Sequence, residues 1–97
     1  MTYKVKSSAI MPIMSSNAMI EIEIDANAGE AGTVADLSLG KTYKNIKVVS
    51  IGVLNKTTTA YTGAISVQRL DFARVAVTAP AVANAAPLIN ITLVCEV

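Results

Sequence analysis

FARVAVTAPAVANAAPLINITLVCEV, residues 72–97, is apolar, rich in Ala, Val and Ile, and almost free of charge, yet Pro80 and Pro87 interrupt it. A proline inside a helix removes a backbone donor and clashes with the preceding turn. The side chains instead alternate with a period of two, the period of a strand. Ala73, Val75 and Val77 share one phase, and Ile89, Ile91, Leu93, Cys95 and Val97 share another. The reading is two buried strands joined by a proline-flanked loop, VANAA, over residues 82–86. Residues 75–94 carry no charge and are long enough to reach across a bilayer, but two prolines, two asparagines and two threonines among them argue against a membrane span.

Working back along the chain, similar segments recur. In AMIEIEID (18–25), Ile20, Ile22 and Ile24 face one way while Glu21, Glu23 and Asp25 face the other. That pattern is expected of an antiparallel sheet with one wet face. ANAGEAG (26–32) reads as a loop, and TVADLSL (33–39) as a short strand. Val34, Leu37 and Leu39 are not all in phase, so a bulge is expected between them. YKNIKVVSIGVL (43–54) reads as a long strand whose apolar phase flips near Val48-Val49. The flip implies either a bulge or a strand passing between two sheets. NKTTT (55–59) is a polar turn, and AYTGAISVQRL (60–70) continues as a strand with Ile65 and Val67 inward and a possible kink at Gly63.

The N-terminal stretch YKVKSSAIMPIM (3–14) alternates at first and then meets Pro12. Proline cannot donate to a ladder, so residues 1–17 are expected to form an edge strand or an extended arm, and 18–97 the β core. Ser15-Ser16-Asn17 reads as a turn. Together these segments predict one all-β domain, a β-sandwich or jelly-roll-like fold of seven to eight short antiparallel strands with an extended N-terminal arm.

Composition narrows the function classes. Of the 97 residues, 53% are apolar and only 15% charged. A typical domain has about 45–50% and about 25%. So little charge leaves apolar surface exposed on a monomer, which favours assembly with copies or partners. The net charge of +1 supplies no field for nucleic acid or an anionic membrane, and neither is expected as a partner. The charges are segregated: Glu21, Glu23, Asp25, Glu30 and Asp36 precede Lys41, Lys44, Lys47 and Lys56. Pairing of successive acidic and basic strands is the expectation.

The chain has no histidine, which removes His-based triads and the commonest metal ligand. The lone Cys95 excludes an internal disulfide and a zinc ribbon, and its place in an alternating strand makes it a small buried hydrophobe. Glu21, Glu23 and Asp25 form a solvated strand face, with a calcium site the weaker alternative. Gly29 and Gly32 lack the spacing and the following helix of a phosphate loop. No enzyme, cofactor or metal is expected. No basic segment followed by an apolar one opens the sequence, so cytoplasmic synthesis is expected, and the triplets at Asn55 and Asn90 read as chance matches to a glycosylation signal.

In layout the chain resembles small structural proteins of tailed-phage virions, above all head decoration (cement) proteins. The resemblance lies in the N-terminal Met11-Pro12-Ile13, the Gly/Ala-rich loop at Ala26–Gly32, and Val/Ile/Thr strands to the last residue. It covers the whole chain and rests on no single motif. It implies a protein made in the host cytoplasm and residing in the virion. There it would bind the major capsid protein or other virion subunits as a homo-oligomer, with a trimer favoured. The expected contact residues are Met11, Pro12, Ile13 and Met14 of the arm, where methionine adapts to irregular surfaces, together with Val82 and Asn84 of the proline-flanked loop. The alternative is a small cytoplasmic β domain that binds a peptide by strand addition, templated on the 3–14 edge or on strand 88–97.

Overall fold

The structure, a computed structural model, describes residues 1–8 and 17–96. Seven strands follow in order: β1 (Thr2–Ser8), β2 (Asn17–Asp25), β3 (Val34–Ser38), β4 (Asn45–Asn55), β5 (Ser66–Arg69), β6 (Arg74–Thr78) and β7 (Pro87–Glu96). They form two sheets, one of order β1-β2-β7-β4 and one of order β3-β6-β5. Every pairing is antiparallel. The chain is an all-β, sandwich-like domain of two unclosed sheets.

The alternation read in the sequence sets which side chains meet. Ile20, Ile22 and Ile24 of β2 and Ile89, Ile91, Leu93 and Cys95 of β7 are wholly buried on one face. From the opposing sheet come Leu37 of β3 and Val75 and Val77 of β6. Burying each large aliphatic side chain is worth about 1.5–3 kcal/mol relative to exposing it. This central block is therefore the main source of stability. Tyr61, Ile65 and Val67 pack half-buried at its margin.

The irregularities also fall where the phase breaks. The β3–β6 register shifts between Val34 and Leu37, and the β4–β7 register shifts between Val48 and Ser50. The second shift lets Ile46 and Val48 before it, and Ile51 and Val53 after it, face the same side of one sheet. β4 is thus a bulged strand and does not pass between sheets.

Three expectations need correction. The strand read over 60–70 spans only Ser66–Arg69. Side-chain bonds hold the segment before it: Asn55 Oδ1 accepts from the Tyr61 amide at 2.9 Å, and the Tyr61 hydroxyl donates to Pro80 O at 2.7 Å. Gly63 fits beneath that phenol, since a Cβ there would lie 2.3 Å from the Tyr61 oxygen. Second, the acidic strand β2 does not pair with the lysine-bearing β4, because β7 lies between them. Lys4 and Lys6 of β1 stand opposite Glu23 and Glu21 instead. Third, strand 88–97 cannot template strand addition: β7 is central, with β2 on one side and β4 on the other.

Candidate interaction surface

The two sheets are unequal in width. In an antiparallel pair, residues directly opposite share a face. Tyr3 and Val5 of β1 stand opposite Ile24 and Ile22, so both lie on the core side, yet they are 51% and 36% exposed. On the other flank Val48, Ile51 and Val53 of β4 stand opposite Leu93, Ile91 and Ile89 and are also exposed. The three-stranded sheet covers β2 and β7 and leaves Tyr3 and Val5 of β1 and Val48, Ile51 and Val53 of β4 open, while Ile46 at the start of β4 still packs on the core.

β4 and β1 are the edges of the wider sheet, and their chemistry differs. β1 presents Lys4 and Lys6. Lysines on an edge oppose further strand pairing. β4 is 11 residues long, and its only charge is Lys47. Val48, Val49, Ile51, Val53 and Leu54 are all exposed, Leu54 to 59% and Val49 to 56%. Among the described residues β4 pairs only with β7, so the backbone donors and acceptors of its far side meet no second strand. A long, apolar edge with an open ladder is a ready template for another chain.

The loops at the C-terminal end of β4 are closely tied. The Lys56 amide donates to Ala86 O at 3.0 Å, and the Thr57 hydroxyl donates to Asn84 O at 2.8 Å. The Gly29 amide donates to Ala85 O at 3.1 Å. Lys56 pairs with Asp25. Val82 and Asn84 both belong to this corner: Val82 is half-buried and its carbonyl accepts from the Ala85 amide at 3.1 Å, while Asn84 is exposed with φ of 64°. Asn tolerates that left-handed conformation better than most residues. The structure thus places Val82 and Asn84 in a built turn rather than on the open edge. Met11, Pro12, Ile13 and Met14 lie outside the described residues.

At the opposite end the β5–β6 turn exposes Leu70 and Phe72, with the Arg69 guanidinium 4.4 Å from the Phe72 ring centre. Arg74 joins β6 to β3 and to the turn, contacting Asp36 at 3.0 Å and Asp71 at 2.7 Å. Its guanidinium, assisted by the Ala73 amide, holds the Asp71 carboxyl below the usual carboxylate range.

Among the described residues there is no cleft and no group of three acidic or thiol side chains suited to a metal. Cys95 is buried, and burial pushes its thiol above the ordinary range. What the arrangement offers is surface for packing and a ladder to extend. The sequence signal that points to β4 is its uncharged apolar run, VVSIGVL over residues 48–54. No family model, curated protein or solved structure matches the chain.

Proposed function

We propose that this domain is a non-enzymatic structural protein of a virion, a capsid decoration protein that docks on the outer shell and reinforces it. The observation that carries the assembly reading is β4, which among the described residues pairs on one side only and exposes five large apolar side chains along seven residues. The virion setting is supported by the chain's likeness in layout to phage decoration proteins. Its partners are the major capsid protein or other virion subunits, together with copies of itself. The test is co-sedimentation with empty tailed-phage capsids that lack their own decoration protein. Saturable binding, in fixed proportion to the capsid subunits and with longer survival of the shells on heating, is the expected result. Protein left wholly in the supernatant would overturn the virion reading.

The same edge favours a second reading, a module that captures an extended peptide by strand addition on β4. It requires a monomer that binds such peptides through backbone bonds, with alternate side chains setting specificity.

A further inference from the structure

We propose that the β4 edge is occupied by β4 of a second copy, antiparallel about a two-fold axis through Gly52, so that two four-stranded sheets become one of eight. The proposal rests on the assembly reading in taking β4 as the contact surface. It goes further in naming the occupant and the register, and it replaces the trimer implied by the resemblance with a two-fold pair.

The choice of edge follows from charge. β1 carries Lys4 and Lys6 within its seven residues, whereas β4 has no charge between Val48 and Asn55. A β1 edge set against β4 would bring those lysines beside Lys47 or along an apolar strand, and a β1–β1 contact would oppose lysines. Of the two described edges of the wider sheet, only β4 against β4 joins an apolar edge to another apolar edge. A contact using the same patch on both subunits closes on itself as a dimer.

The register follows from the faces. After the bulge, Ile51 and Val53 point to the core side, and Ser50, Gly52 and Leu54 to the outer side. Pairing centred on Gly52 sets Ile51 of each copy opposite Val53 of the other, and Ser50 opposite Leu54. From Ser50 to Leu54 core side meets core side, so Ile51 and Val53, left uncovered by the narrow sheet, cover one another across the axis. Lys47 and Lys56 fall opposite Thr57 and Val48, so no like charges face each other, and Lys56 already pairs with Asp25. Gly52 itself would meet only Asn90 O, 3.9 Å from an added Cβ. Glycine weakens a strand interior and marks places where another backbone comes close. In this register the two glycines sit on the axis.

The register makes a covalent test possible. Opposed residues of an antiparallel pair have Cα atoms about 4.5–5.5 Å apart. That falls within the roughly 4.4–6.8 Å that a disulfide spans. Gly52→Cys should therefore give a covalent dimer on mild oxidation, while Lys4→Cys on β1 should not, and buried Cys95 should take no part. In parallel, light scattering on the unaltered chain should give twice the monomer mass. Ile51→Lys/Val53→Lys sets like charges opposite each other twice and should yield monomer. Ile51→Lys/Val53→Glu sets opposite charges face to face and should restore the dimer. A dimer or higher oligomer with no cross-link at position 52 and no charge rescue would overturn this register but leave the assembly reading standing. A monomer at every concentration would overturn the dimer, and if it also failed to bind capsids the assembly reading would fall with it. If Gly52→Cys fails to fold, the unaltered chain's mass and the charge pair still decide.

Discussion

Ile51 stands directly opposite Ile91 on the same face of the same sheet, yet Ile91 is wholly buried and Ile51 is 41% exposed. The difference is one strand's width: the opposing sheet reaches β7 and stops. Packing stability and surface chemistry therefore separate across that single pair.

Ile91→Ala should cost about 2–5 kcal/mol, the range for deleting a branched side chain from a core that collapses only partly. Ile51→Ala, measured at a concentration where the chain is monomeric, should cost clearly less. Urea unfolding of both variants checks this. Equal losses would mean that β4 is covered in solution by another part of the same chain.

Gly32 is buried where the β2–β3 loop crosses the core. An added Cβ would lie 3.2 Å from Ile89 Cδ1, 3.3 Å from Ile24 Cγ2 and 3.4 Å from Ala79 Cβ. Gly32→Val must displace these side chains and should destabilise by about 1–3 kcal/mol, the usual cost of overpacking. Thermal unfolding reads the loss, and an unchanged midpoint would place this loop away from the core.

Cys95 sits between Ala18 and Ile46 on the neighbouring strands and is fully buried. Burial raises its thiol, so little thiolate forms and little reagent reaches it. Alkylation at mildly alkaline pH should be negligible in the native protein and rapid in denaturant. Fast labelling of the native state would contradict the packing of β2 on β7 at that level.

Asp71 gives a pH dependence with a definite sign. Arg74 lowers its carboxyl in the folded chain below the ordinary aspartate range. A lowered folded value contributes stability that is present above the unfolded value and lost as pH falls through the folded one. The advantage of the native protein over Asp71→Asn should therefore be present at about pH 7 and shrink toward about pH 3. The group is exposed, so the effect is small. Urea midpoints of the two proteins at both pH values test it, and a difference that grew on acidification would contradict the pairing.

Much of this fold is legible in the alternation of β2 and β7, because a period of two with Ile on one side dictates both strand and buried face. The bulges were legible too, since each interrupts the apolar phase. What the sequence concealed was lateral order. Nothing in residues 88–97 distinguishes a central strand from an edge, because a strand buried on one face alternates identically in either place. Likewise the shared phase of Ile51 and Val53 does not tell a covered face from an open one, and only the width of the other sheet leaves them exposed. At Val82 and Asn84, hydrogen bonds from the neighbouring loops account for the turn's shape, and no side-chain pattern in the sequence announces them.

The most direct measurement is the native mass of the unaltered protein by light scattering after size exclusion, over a dilution series at low and high salt. A pair joined along β4 has twice the 10.1 kDa chain mass. Added salt should not dissociate it, because apolar contact and ladder bonds, rather than charge, hold β4 to its copy. A monomer at all concentrations, or a pair that high salt dissolves, would contradict this pairing.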